Sequence, residues 1–473
     1  MTPQASCLVA PLCFAFMTIC LAASNANAQA VPSAQAAPEI VLIDKQQASS
    51  MNVYLKSASR EPFHLLYMHG IGATGAGGSN LLQTSICKKI KKYAQQECES
   101  QPHITRPRDY ADEGAFSLVK LAPDLAYMGA PVWATPEQWH AAAPFVDHYV
   151  INLKSGKSIL VDELNWWPLV MAFKCQHLIP NETKLAGHLT GSQDYLRICS
   201  NKTPHDGQQW RFDSYDWLTQ SQYDALKDTP NRAALANRWL KISFLDWSLS
   251  DAALGIGPLE KYLVEGIRQL IVKCVETGAG QTKAMAAATP YTFDQNERFM
   301  TVTHSLGSFL MFSALQDEYK TGKVRSKEDE ENQKRVFNHV LGHLGQAYFF
   351  ANQIPLLELG KLGELNTRNF VDLSAWGDQR RKVENIGTAE PGCRNPLGQI
   401  VSWSDPSDLL TFYFGKDFTD WQAKPGTGIC VVNKLVKNSP SWYFLGLLEN
   451  PGPAHTDYAR NPNVIKSLLA SIP

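Results

Sequence analysis

Phe299-Met300-Thr301-Val302-Thr303-His304-Ser305-Leu306-Gly307-Ser308 is the stretch on which the reading of the fold turns. Its first half, Phe299–His304, is a short run of apolar and β-branched residues, the composition of a buried strand. From Leu306 to about Lys320 the pattern becomes helical, so a strand passes into a helix across Ser305. A serine hydroxyl is a poor nucleophile until a neighbouring base takes its proton, and a tight strand-to-helix turn is one way of presenting it to such a base. Small flanking residues avoid clashes there, and the helix N-terminus favours negative charge. Gly307 fills the position two after the serine, while Thr303 stands two before it, where glycine is usual. Ser305 is therefore the candidate nucleophile.

Around this turn the chain alternates between strand and helix patterns. Strands are expected at Glu39–Asp44, Met51–Lys56, Phe63–His69, Trp239–Trp247, Val336–Leu341, Gln399–Ser404 and Ile429–Val436. Tyr149–Lys154 and Ser158–Trp166 flank Ser155-Gly156-Lys157, the signature of a hairpin. Helices are expected at Asn80–Gln96, which places Leu81, Leu82, Ile86, Ile90 and Tyr93 at helical spacing, and from Pro258 to about Glu276. Such alternation predicts an α/β fold with a mostly parallel central sheet covered by helices. The mixed-sign run Lys323–Arg335 reads as a solvated loop or helix end.

A nucleophilic serine needs a base and a group to orient it. After the strand Gln399–Ser404 comes Asp405-Pro406-Ser407-Asp408-Leu409-Leu410. Asp405, at the strand end, is the preferred acid because as a helix N-cap it can accept backbone N–H bonds and stay ionised. Asp408 is the rival. Near the C-terminus, His455 in Asn450-Pro451-Gly452-Pro453-Ala454-His455-Thr456-Asp457-Tyr458 is the candidate base. The three occur in the chain order Ser, Asp, His, the one that accompanies a serine on a strand-to-helix turn in one fold among several that carry such a set. Backbone N–H groups must also meet the oxyanion. His69-Gly70-Ile71-Gly72 comes after an apolar strand, so the amides of Ile71 and Leu306 are the expected donors, with His69 structural.

Gly70-Ile71-Gly72-Ala73-Thr74-Gly75 also satisfies G-x-G-x-x-G, the dinucleotide-binding pattern. That reading requires a second strand ending in an acid about 20 residues on, and the region Lys91–Arg108 is too polar to supply it. The glycines lack the Lys-Ser/Thr ending of a phosphate loop as well.

Taken together, the HGIG turn, the THSLGS elbow, the SDPSDLL acid loop and the PAHTDY histidine loop resemble the α/β-hydrolase superfamily, and HSLGS is similar to the elbows of lipases, phospholipases and esterases. The resemblance covers mainly residues 39–85 and 298–473. It implies hydrolysis of a carboxylic ester, with a small-molecule or lipid ester as substrate and no metal or organic cofactor. Family members have fewer residues between the oxyanion strand and the elbow, so a large insertion or cap is expected at roughly 93–296. Trp166, Trp167, Trp210, Trp217, Trp239 and Trp247 fall within it and read chiefly as core.

The whole chain has 473 residues, 44% hydrophobic and 19% charged, with a formal net charge of −1. Nothing in that balance points to nucleic acid as a partner. Cys7–Ala23 is apolar and is followed by Ala26-Asn27-Ala28 and Ala28-Gln29-Ala30, so residues 1–30 read as a signal peptide, although no Lys or Arg precedes the apolar run. A retained anchor is the alternative; after cleavage no stable membrane span is expected. The leader implies a periplasmic or secreted location, and with it disulfides. Proximity suggests Cys87–Cys98, Cys175–Cys199 and Cys393–Cys430, leaving Cys274 unpaired. The absence of any CxxC pair gives a zinc site little support. Beside the hydrolase stand two other readings: a binding protein that keeps the fold without turnover, and a dinucleotide-dependent enzyme.

Overall fold

The computed structural model of the chain describes residues 49–59, 61–71, 77–99, 103–104, 108–111, 143–177, 249–257, 259–278, 296–316, 327–358, 373–387, 393, 396–415, 428–439, 442–443 and 448–470. The signal peptide, Glu39–Asp44, the Cys175–Cys199 pair, Pro258, Trp239–Trp247, Trp210 and Trp217 lie outside the described residues.

Nine strands form one sheet: β1 (Phe63–Met68), β2 (His103–Ile104), β3 (Asp109–Tyr110), β4 (Phe145–Asn152), β5 (Ser158–Asn165), β6 (Arg298–His304), β7 (Leu344–Phe350), β8 (Gly398–Ser404) and β9 (Ile429–Leu435). The order is β2-β4-β5-β1-β6-β7-β8-β9, with β3 also on β4. All pairings from β5 through β9 are parallel; β4 joins β5 antiparallel through the expected hairpin, closed by Gly156 at φ 78°. A mixed α/β fold with a mostly parallel sheet is the result. Part of the span expected to be a cap, residues 143–165, thus belongs to the sheet, because its apolar alternation suits strands beside β1.

The helices are α1 (Ser50–Lys56), α2 (Asn80–Ala94), α3 (Trp167–His177), α4 (Ser250–Ile256), α5 (Glu260–Gly278), α6 (Leu306–Gln316), α7 (Lys327–His343), α8 (Ile354–Glu358), α9 (Ser374–Glu384), α10 (Pro451–Thr456) and α11 (Pro462–Leu469), with a 3₁₀ turn at Asp457–Arg460. Both faces of the sheet are covered, as a parallel sheet demands. Leu66, Met68, Phe299 and Ile400 pack with residues of α5, α6, α7 and α9. Their neighbours in the strands, Phe63, Leu65, Met300 and Val401, face the opposite way and pack with α1, α2 and α11. Trp166 and Trp167 are core residues, as expected.

Two strand expectations are corrected. Met51–Lys56 lies in α1: Met51, Tyr54 and Leu55 are buried at helical spacing, and the Ser49 hydroxyl caps the start by accepting from the Asn52 N–H at 3.0 Å. The Lys157 ammonium donates to the carbonyls of Tyr54, Leu55 and Ser57 at 2.7, 2.9 and 2.6 Å, closing the other end. Val336–Leu341 lies in α7, where Val336, Phe337, Val340 and Leu341 form one buried stripe, and the strand comes afterwards at Leu344–Phe350.

Cys87–Cys98 and Cys393–Cys430 are disulfide-bonded, with Cα–Cα distances of 5.6 and 5.0 Å. Cys274 is buried outside any disulfide, its thiol donating to the Leu270 carbonyl at 3.1 Å. Among the described residues no helix is long and apolar enough to cross a membrane. These features are compatible with an extracellular location.

Candidate active site

From β1 the chain departs to β4 and β5 on one side of the sheet, and from β6 it departs to β7 on the other. The carboxyl ends of β1 and β6 therefore flank a topological switch point, where departing connections leave a crevice. Met68 pairs with Thr303, so Gly70 and Ser305, each two residues further on, leave the sheet at the same level.

Ser305 stands in a turn with an unusual backbone conformation. Its φ of 55° lies in the left-handed region, which a residue with a β-carbon adopts only when its surroundings enforce it. Its N–H donates to the Phe350 carbonyl at 2.8 Å, and its carbonyl accepts from the Ser308 N–H at 2.9 Å. Thr303, standing where glycine is usual, fits by spending its hydroxyl on Ser308 Oγ at 2.9 Å. The glycines serve close approach. A β-carbon on Gly307 would run into the His69 carbonyl, and one on Gly70 would lie 2.7 Å from Ser305 Cβ. Ile71 and Leu306, the proposed oxyanion donors, directly follow Gly70 and Ser305 in the chain. The residue Ser305 is itself fully buried.

His455, near the end of α10, points its Nε2 at Ser305 Oγ at 3.2 Å. Its Nδ1 faces the Asp408 carboxylate at 2.9 and 3.0 Å. With Nδ1–H donating to a carboxylate, Nε2 keeps a lone pair that faces the serine hydroxyl. The rival acid, Asp408, faces His455; the preferred acid, Asp405, does not. One of its carboxylate oxygens accepts from the Ser407 N–H at 2.8 Å and the other from the Asn438 N–H at 2.6 Å, so it binds the acid loop to the segment after β9. The Asp408 N–H donates to the Asp405 carbonyl at 3.0 Å, and that turn swings Asp408 back over the strand end toward His455.

Two side chains not singled out in the sequence complete the cluster. The Tyr458 hydroxyl accepts from the Asp405 N–H at 2.8 Å and lies 3.4 Å from Asp408 Oδ2; burial raises its pKa, so it remains a neutral donor. His304 packs edge-to-face on His455, with ring centroids 4.9 Å apart, and its Nε2–H donates to the His455 carbonyl at 2.7 Å. Both adjoin residues of the sequence motifs, Ser305 and Asp457, but their roles depend on contacts 50 or more residues apart in the chain. His69 is buried and stacked on Trp166, whose indole N–H donates to the His69 carbonyl at 3.2 Å, which fits the structural part expected of it.

A pyrophosphate at the glycine-rich turn would need the N-terminus of α2. Residues 72–76 lie outside the described residues, but the helix N-terminus after them is occupied by the Glu163 carboxylate. It accepts from the N–H groups of Gly78 and Ser79 at 3.0 Å each and from Ser79 Oγ at 2.7 Å. Burial raises the Glu163 pKa and these hydrogen bonds oppose that rise, so the place an anion would take is held by a side chain of the protein itself. No family model, curated protein or solved structure matches the chain.

Proposed function

We propose that this protein is an exported serine hydrolase of the α/β-hydrolase kind that cleaves carboxylic esters through Ser305, His455 and Asp408. One observation carries the reading. A single imidazole has a carboxylate on one nitrogen and, 3.2 Å from the other, a serine hydroxyl in a left-handed strand-to-helix turn. In the proposed reaction His455 Nε2 takes the Ser305 proton as Oγ forms a bond to the ester carbonyl carbon. The carbonyl electrons move onto oxygen, where the N–H groups of Ile71 and Leu306 receive them. Collapse breaks the bond to the alkoxide, which leaves with the proton held by His455. Water, deprotonated by the same nitrogen, then attacks the acyl-enzyme, and free acid and Ser305 are regenerated. The scheme uses no metal or organic cofactor. Apolar side chains on the acid loop, Leu409, Phe412 and Tyr413, are exposed and suit an ester with a hydrophobic acyl part.

The test is turnover of p-nitrophenyl esters of increasing acyl length by the mature protein and by Ser305→Ala. The reading expects hydrolysis by the first and none above background by the second. The burial of Ser305 favours one other reading, a binding protein that keeps this geometry without turnover. Absence of hydrolysis over the whole acyl series would favour it.

A further inference from the structure

We infer that His304, immediately before the nucleophile, is a positioning residue that fixes His455 by capping the C-terminal carbonyl of its helix; the inference rests on the proposed hydrolase reading. The α10 helix has only six residues and runs into the 3₁₀ turn Asp457–Arg460. The last carbonyls of a helix have no partner within it and take one from elsewhere. For the His455 carbonyl that partner is His304 Nε2–H, at 2.7 Å. A carbonyl oxygen only accepts, so the His304 proton sits on Nε2.

His304 is itself held rigidly. Its Nδ1 faces Gly70, where an added β-carbon would come within 3.0 Å, and its ring meets the edges of His455 and Tyr458 at 4.9 and 6.2 Å. Burial and the neighbouring His455 push its pKa down to about 4, so it stays neutral beside an imidazole that must become cationic during the reaction. The titratable groups facing it are Asp408, His455 and His69. The consequence is geometric. The same residue carries the nucleophile's backbone on one side and grips the base's backbone on the other. The separation of Ser305 Oγ and His455 Nε2, 3.2 Å, is at the outer edge of hydrogen-bond reach, so release of the latch costs rate without touching substrate.

The experiment compares His304→Gln, His304→Asn and His304→Phe with the parent protein. A glutamine amide reaches the place of Nε2, whereas an asparagine amide reaches only that of Nδ1. Expected for Asn and Phe is a fall in kcat of about 10- to 100-fold on p-nitrophenyl butyrate with KM within about twofold, and for Gln a value near the parent's. The second readout is the far-downfield proton NMR signal of His455 Nδ1–H on Asp408, expected to persist in Gln and to broaden or shift in Asn and Phe. Equal kcat in Asn and parent, or a Gln variant as impaired as Asn, would overturn the inference. If the Phe variant does not fold, the Gln and Asn pair still decides. A parent protein that turns over no ester removes the hydrolase reading, while the NMR contrast continues to test the latch.

Discussion

Of the histidines that face carboxylates among the described residues, His148 and His455 differ in what stands at the second ring nitrogen. His148, in β4, has Asp162 on Nδ1 at 2.7 Å and Asp109 on Nε2 at 2.8 Å, and its side chain is fully buried. Both nitrogens face carboxylate oxygens, so both must donate, and no lone pair is left to accept a proton. Burial alone would raise the pKa of Asp162, but hydrogen bonds from His148 and His64 outweigh it and keep the carboxylate ionised. His455 differs in one partner: Asp408 holds Nδ1, and a hydroxyl stands at Nε2. A carboxylate at each end makes a structural ion pair; a carboxylate at one end and an alcohol at the other is the arrangement the proposed reaction needs in its base.

The contrast is broken most severely at the nucleophile and its acid. Ser305→Ala is expected to abolish ester hydrolysis, and Asp408→Asn to lower kcat by about 10³- to 10⁴-fold by leaving the imidazole in the wrong tautomer. Asp405→Asn should lower kcat by less than about 10-fold and act mainly on thermal stability. Steady-state kinetics on one ester decide between the acids, and equal losses for both would remove the distinction between them.

At His148 the effect moves from rate to stability. Replacement by leucine takes from the buried Asp162 the nearer of its two imidazole partners, leaving His64 at 3.4 Å, and is expected to cost about 3–5 kcal/mol. The specific activity of the molecules that remain folded is expected to be unchanged. Denaturant unfolding followed in parallel with activity checks this, and a selective loss of kcat would make His148 part of the reaction. Smaller still is Lys157→Met, which leaves three carbonyls at the end of α1 without their donor and should cost about 1–3 kcal/mol in the same experiment.

A further expected effect is on pH. His69 and His304 have folded pKa values of about 4, both lowered first by burial, against 6.5 for an unperturbed imidazole. Between those values the unfolded chain binds more protons than the folded one. The stabilisation is therefore complete above pH 6.5 and falls as the pH drops toward 4, by up to about 1.4 kcal/mol per pH unit for each group. Urea midpoints that stay level across this window would contradict the burial of these neutral rings.

Much of this was legible in the chain where a short pattern has one physical solution. FMTVTH followed by SLGS is apolar and β-branched up to the serine and helical after it, and the Ser155-Gly156-Lys157 hairpin needs its glycine at positive φ. Legibility failed where two periods overlap. Val336–Leu341 has the apolar content of a strand, and only its continuation through His343 into Leu344–Phe350 shows where the helix ends and the strand starts. Within the acid loop, proximity to the strand end favoured Asp405. Yet Asp-Pro-Ser is a sequence in which an aspartate commonly turns back to accept from the N–H two residues on, as Asp405 does from Ser407. That local signal pointed to Asp408. The part played by His304 had no comparable signal, since its partner lies 151 residues away.

The most direct measurement is the site of covalent capture by a fluorophosphonate probe. The mature protein should gain one adduct per chain, on the peptide carrying Ser305, and Asp408→Asn should react far more slowly. Full labelling of Ser305→Ala, or an adduct on any other serine of the parent protein, would contradict the assignment of Ser305 as the nucleophile.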